Sequence, residues 1–298
     1  MNATDSWPQL HPHNTCFKWP DTCPRGQRDS ADEKVYRRIT PEQAEQFDSA
    51  GYFVITDAFN GATVRHVTKE IDQFEAVYEN EASCKSADKR TAKDDTAAAL
   101  FMPHLVTVSP YLRRFCASAI FCDLAWDLLG PSVRVYWDQA VYKKSEHPRE
   151  FPWHQDNGRT YIEPQNYLTC WLALSEATLD NGCLWMLPGR HLWGMLDHED
   201  TEDGLRCRLE DTHGAVPLEV SPGALVVFSS LTPHRSGPNQ SATKRKALII
   251  QYALDNSTVF RDPAQGIPDD LVMNDPLRQY LVISGGRPVP VDVLMING

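Results

Sequence analysis

Beyond Gly130 the chain alternates apolar and polar residues in short runs separated by turn signals, a pattern that constrains its fold more than any other feature. Val133 to Tyr142 alternates, and Tyr167 to Ser175 sets Leu168, Cys170, Leu172 and Leu174 on one face and Thr169, Trp171 and Ala173 on the other. Cys183 to Leu187, Ala215 to Val220, Ala224 to Ser229 and Lys246 to Ala253 complete the set of expected strands. Asp180-Asn181-Gly182, Pro188-Gly189 and Ser221-Pro222-Gly223 mark turns between them. Helices first and many short antiparallel strands after them predict an all-β core with flanking helices, a double-stranded β-helix of the jelly-roll, cupin-like kind.

The helical part is equally legible. Thr40 is placed to cap a helix, Pro41 suits its first position and Gln43 completes a capping box. That helix is expected to stop at Gly51, with Tyr52 to Ile55 as a strand. Val64, Val67, Ile71, Phe74 and Tyr78 keep helical spacing between Thr63 and Glu79, whereas Ala82 to Ala99 is polar, alanine-rich and without period, a long loop or flap. Ser109-Pro110 opens a further helix that ends at Gly130-Pro131. The expected organisation is an irregular N-terminal arm over 1–34 and one domain over 35–298. Within that domain a helical buttress covers about 40–130, the jelly-roll core about 131–255 and a C-terminal extension about 256–298.

The 298 residues suffice for a full core, and the formal net charge, 29 − 40 = −11 with no Lys/Arg-rich block, argues against nucleic acid as a partner. The mixed-charge run Lys85 to Asp95 and the acidic run His198 to Asp203 read as solvated loops. None of the eight cysteines forms a CxxC pair, and several lie in apolar stretches where a reduced thiol packs as a small hydrophobe. No charged-then-apolar leader opens the chain, and no apolar run approaches the roughly 18 residues of a membrane span. The expectation is a cytoplasmic protein acting on a small molecule, without a membrane partner; its oligomeric state is left open.

Against this frame stands the triplet His154-Gln155-Asp156, followed downstream by His234 and Arg245. Two imidazoles and one carboxylate can occupy one face of an octahedral metal and leave three positions open, which suits Fe(II) in an oxygenase that must also hold a co-substrate and O2. On a strand, residues i and i+2 point the same way, so His154 and Asp156 can reach one ion. Candidates for a third ligand are His191, in a turn where an exposed histidine is ordinary, His198 in the acidic run, His213 in a loop and His234. Only His234 lies between two apolar strands, and position favours it. Arg245 follows it by 245 − 234 = 11 residues and can grip a carboxylate bidentately. On the expected strand Arg245, Ala247, Ile249 and Gln251 share one face and Lys246, Leu248, Ile250 and Tyr252 the other, with nothing in the sequence to say which faces inward.

Trp153-His154-Gln155-Asp156, the Trp171 strand, Asp180 to His191, and His234-Arg235-Ser236-Gly237-Pro238-Asn239-Gln240-Ser241 followed by Arg245 together resemble the phytanoyl-CoA dioxygenase-like family of Fe(II)/2-oxoglutarate oxygenases. The resemblance spans about residues 40–255. It implies that His154, Asp156 and His234 hold the iron, that Arg245 binds the distal carboxylate of 2-oxoglutarate with Ser236 assisting, and that Trp171 and Gln139 line the co-substrate pocket. The implied reaction couples O2 and 2-oxoglutarate to hydroxylation of an unactivated C–H bond, releasing succinate and CO2. Asp156 stands where related halogenases carry a small residue, which argues against halogenation. The family's turn Pro-Gly-Ser-His is here Pro188-Gly189-Arg190-His191, and no basic cluster offers itself to the phosphates of coenzyme A. His104 and Arg159 are candidates for substrate contact near the mouth. Rival readings are a jelly-roll metal protein without oxygenase activity, such as a sensor or isomerase, and an oxygenase ending in desaturation, epoxidation or cyclisation.

Overall fold

The computed structural model describes residues 27–28, 34–88, 98–158, 161–165, 167–201, 204–260, 271–272 and 274–291. Most of the expected N-terminal arm therefore lies outside the described residues, as does Arg159.

The first helix, α1 (Pro41–Ala50), forms as its sequence predicts. Thr40 accepts from the Gln43 amide, Gln43 returns a bond to the Thr40 amide, and Gly51 closes the helix at φ 85°, a left-handed conformation that glycine adopts without cost. β1 (Tyr52–Ile55) follows at once. The next helix, α2 (Gly61–Asp88), buries Val64, Val67 and Ile71 and runs about three turns beyond the end of its apolar stripe at Tyr78. The expected loop from Ala82 thus begins as helix, because Glu81, Ala82, Lys85 and Ala87 are strong helix formers that propagate an existing helix. The expected helix from Pro110 to Leu129 is two pieces, α3 (Pro110–Cys116) and α4 (Ala119–Leu128), broken where Ser118, just before the second, turns extended (ψ 158°).

Nine further strands build the core: β2 (Ala99–Pro103), β3 (Val133–Lys143), β4 (Phe151–His154), β5 (Leu168–Ala173), β6 (Leu184–Met186), β7 (Val216–Leu218), β8 (Leu225–Ser229), β9 (His234–Ser236) and β10 (Arg245–Leu254). A last one, β11 (Leu281–Ser284), comes from the C-terminal extension and pairs with β3, burying Val282 and Ile283. Pairing is antiparallel throughout. The large sheet runs β11-β3-β10-β5-β8-β1, with β2 also on β3; the small one runs β7-β6-β9-β4. This is the jelly-roll core with flanking helices that the sequence predicts.

Side-chain alternation divides the large sheet into two faces. Leu168, Cys170, Leu172, Leu225, Val227, Leu248 and Ile250 pack against the helices. Trp171, Ala173, Val226, Phe228 and Ala247 face Leu184 and Met186 of the small sheet across the interior. The question left open for β10 is settled by this packing: the Arg245 face is inward, and Lys246 points out to Asp72 of α2. Alternation in β3 is not continuous. The register shifts between Gln251 and Tyr252, so Trp137 pairs with Gln251 and Val135 with Tyr252. This bulge leaves one extra residue on β3 and turns the consecutive aromatics Tyr136 and Trp137 both toward the interior cavity.

On the helix side of β3, Asp138 is 1% exposed, with one carboxyl oxygen accepting from the Val106 amide and the other without a partner. Burial raises its pKa to about 7. The folded state then holds a proton that the unfolded chain has lost, so this site's contribution to stability is complete below about pH 4 and is lost as pH rises through 7. The melting temperature of the wild type is expected to fall between pH 5 and 8 more steeply than that of Asp138→Asn, which keeps an acceptor for Val106 and cannot ionise. Thermal melts across that range check it, and parallel profiles would refute a buried titration at Asp138.

Candidate metal centre

The two sheets bring the sequence-predicted triad together. His154 ends β4 and His234 begins β9, and the two are direct register partners with ring centroids 4.3 Å apart. Asp156 lies not on a strand but in the first position of a 3-10 turn, Asp156–Gly158. What aims this turn is the intervening Gln155. Its buried amide donates to the Gly194 and Leu231 carbonyls (2.8 and 2.7 Å), and its oxygen accepts from the Leu196 amide (2.8 Å). Every polar atom of Gln155 is thus satisfied, and the chain on either side of it is held.

Ligand atoms from His154, Asp156 and His234 all lie within 4.8 Å of one another, and His234 Nε2 is 3.6 Å from Asp156 Oδ1. His154 Nδ1 sits 2.8 Å from the Pro152 carbonyl and His234 Nδ1 3.0 Å from that of Thr232. A carbonyl can only accept, so both Nδ1 atoms carry the hydrogen, and Nε2 is the nitrogen through which each ring could bind a metal. Asp156 is asymmetric in the same way. Its Oδ2 accepts from Thr169 Oγ1 (2.6 Å) and Gln251 Nε2 (2.9 Å), which leaves Oδ1 toward His234. Two neutral imidazole nitrogens and one carboxylate oxygen, each oriented from behind, fit a divalent iron with open positions.

The triad opens on a cavity of about 440 Å³ whose wall includes Phe101, Tyr136, Trp137, Gln139, Phe151 and Tyr167. Gln139 is therefore on the same wall as His154 and Asp156. His104 stands behind that wall, edge-on to the Trp137 ring at 4.3 Å, in a left-handed conformation (φ 61°). Arg245 is 2% exposed, with Nε and Nη1 buried and unpartnered and its guanidinium 5.3 Å from the Trp171 ring. Burial lowers its pKa to about 10, still well above neutrality. Ser236, 5% exposed on β9, accepts from Lys143.

Two expectations are corrected. His191 is fully buried, not an exposed turn residue: it packs against Gly51, where any Cβ would come within 2.6 Å of its Nδ1, and its Nε2 reaches the Asp48 carbonyl at 3.2 Å. His198 belongs to a hairpin, His198–Thr201 with Gly204–Cys207, rather than a solvated loop. Its Nε2 accepts from the Gln155 amide (3.1 Å), beside Cys207 Sγ at 3.0 Å, so it steadies the triplet from behind. Sequence reasoning also passed over Gln251 and Thr169 as partners of Asp156, although strand parity places both on the inward face. It passed over Lys143 too, which follows Gln139 and Val141 at the same parity.

The chain is similar to several known proteins. Phytanoyl-CoA dioxygenase 1 of Oryza sativa subsp. japonica is 29% identical over 252 residues, covering 71% of this chain and 88% of its own. Ectoine dioxygenase of Sphingopyxis alaskensis is 25% identical over 245 residues, 73% of this chain and 77% of its own. Among solved structures, EvdO2 from Micromonospora carbonacea var. aurantiaca, complexed with 2-oxoglutarate, shares the fold with a TM-score of 0.59 at 22% identity, over 76% of this chain and 96% of that one. The family model described as Phytanoyl-CoA dioxygenase (PhyH) matches residues 47–247, and the chain belongs to that family.

Proposed function

We propose that this protein is an Fe(II)- and 2-oxoglutarate-dependent dioxygenase that hydroxylates an unactivated C–H bond of a small molecule, with release of succinate and CO2. The observation that carries the reading is the pairing of two features in one interior: three ligand atoms tied back for a single ion, and a buried arginine with unpartnered donors. In this reading His154, Asp156 and His234 hold the iron, which supplies the O2 chemistry when bound. The Pro152 and Thr232 carbonyls fix the histidine tautomers, and Thr169 and Gln251 keep Asp156 turned so that one oxygen meets the metal. Arg245 presents its fork to the distal carboxylate of 2-oxoglutarate, with Trp171 beside the guanidinium and Ser236 assisting.

The aromatic wall accommodates a small substrate of mixed polarity, with Gln139 available for a hydrogen bond. A domain over 35–298 working in the cytoplasm, without nucleic acid or membrane partners, completes the reading; no helix among the described residues is long and apolar enough to cross a membrane.

The decisive experiment is anaerobic titration of the metal-free protein with Fe(II) and then 2-oxoglutarate. A weak visible charge-transfer band that appears only with both present is the expected result. Iron binding without such a band would overturn the reading in favour of a metal protein of another kind.

A further inference from the structure

Five aromatic rings meet at the cavity beside the triad, and the chain gives up strand regularity to bring two of them there. In an unbroken β3, consecutive residues point to opposite faces, so either Tyr136 or Trp137 would face the helices. The extra residue at the Gln251–Tyr252 shift puts both on the cavity wall, with Phe101 of β2, Phe151 of β4 and Tyr167. A bulge that re-aims side chains beside a site is a feature of the site. The rings are also fixed. Trp137 stands edge-on to His104 at 4.3 Å and 67°, Tyr136 to Tyr167 at 5.0 Å and 65°, and Phe101 to Phe151 at 5.5 Å and 75°. Such pairs hold the planes of the rings as well as their positions. Phe101, Tyr136, Trp137 and Phe151 are nonetheless only half-buried, and they face the cavity. Apolar ring surface held open in this way gains when a ligand covers it.

Charge on this wall is scarce. Among its described residues there is no lysine or arginine, and the carboxylate is Asp156, with Oδ2 taken by Thr169 and Gln251 and Oδ1 toward His234. The Lys143 ammonium, 4.6 Å from the Phe151 ring, is not part of the wall and donates to Ser236. A charged group entering among the rings would give up water without an ionic partner, whereas a neutral ring finds flat faces to stack on. Resting on the dioxygenase reading above, we propose that the substrate is a neutral aromatic molecule whose ring system packs among Phe101, Tyr136, Trp137 and Phe151, with a hydroxyl or carbonyl group turned to Gln139. Trp137 sets the preference for a flat ring over a saturated one, and His104 holds it from behind.

The test is equilibrium dialysis of four probes against the protein loaded with Fe(II) and saturating 2-oxoglutarate in the absence of oxygen. The probes are 2-naphthylmethanol, its decahydro counterpart, 2-naphthylmethylphosphonate and 2-naphthylmethylamine, the last a cation at neutral pH. The neutral arene is expected to bind at least about threefold tighter than its saturated counterpart, within the range that one well-placed aromatic pair supplies. Against either charged probe the expected margin is roughly tenfold or more. Trp137→Leu keeps an apolar side chain and should narrow the first ratio to below about twofold, while Trp137→Phe keeps the preference; circular dichroism confirms the fold of both. In the wild-type protein, a saturated or charged probe that binds as tightly as the arene, or an arene that does not bind, would overturn the inference whether or not the variants fold. An unchanged ratio in a folded Trp137→Leu would overturn it too. Absence of the charge-transfer band from the same loaded sample would instead refute the dioxygenase reading, leaving the ring preference to stand or fall on the dialysis.

Discussion

His234→Ala is expected to lose iron and all measurable turnover while keeping its fold. His234 supplies one of three ligand atoms, and no other histidine or carboxylate among the described residues joins that cluster. Substituting residues that merely orient a metal ligand typically costs 10–100-fold in affinity or activity, and removing the ligand itself should cost more. The fold should survive because β9 is held by backbone pairing to β6 and β4, and the lost ring leaves only a small void beside Phe228 and His154. Metal analysis and circular dichroism on the purified variant check both halves. His198→Ala, one layer behind the triplet, should lose less, within that roughly 10–100-fold range. Full occupancy and turnover in His234→Ala would remove it from the coordination sphere.

Arg245→Ala is expected to weaken 2-oxoglutarate by about 30-fold to several thousand-fold with little change in iron binding. Truncating one partner of a buried, hydrogen-bonded charge pair costs about 2–5 kcal/mol, and each 1.4 kcal/mol is a decade. The expectation sits at the severe end of surface-charge substitutions because the guanidinium is 2% exposed and has no protein acceptor at Nε or Nη1. Arg245→Lys keeps the charge without the fork and should recover only part of the affinity. Lys244→Ala and Lys246→Ala should change little, since those ammonium groups are spent on Glu75 and Asp72 of α2, outside the cavity. The measurement is the affinity for 2-oxoglutarate at fixed Fe(II) in all four variants. A larger loss in a Lys244 or Lys246 variant than in Arg245→Ala would place the carboxylate elsewhere.

The elements that read well from sequence are those whose signals are local. The capping box at Thr40 and the left-handed Gly51 set the ends of α1 by hydrogen bonds within a few residues, and alternation in β5 and β8 separates a helix face from an interior face. Local signals failed where tertiary contacts rule. The turn around His191 looked exposed because nothing nearby in sequence shows that α1 ends against it, with Gly51 giving the clearance. β11 falls in what the sequence marks only as a C-terminal extension, because its pairing partner lies well over a hundred residues away.

By itself, the sequence determined the jelly-roll class and singled out His154, Asp156 and His234, three residues that the fold brings together, because residue type and order along the strands carry that information. Only the tertiary structure decided which face of β10 is inward, since parity groups residues without orienting the group. The bulge at Tyr136-Trp137 changes phase midway along β3, and a phase change can be seen only against the partner strand. The same holds for charge. Lys143 and Lys144 are equivalent as neighbours in a chain, yet pairing across to Arg245 buries the first, while Lys144 meets Glu79 at the surface. A charged side chain takes its meaning from solvent access and facing charges, both created only when the strands come together.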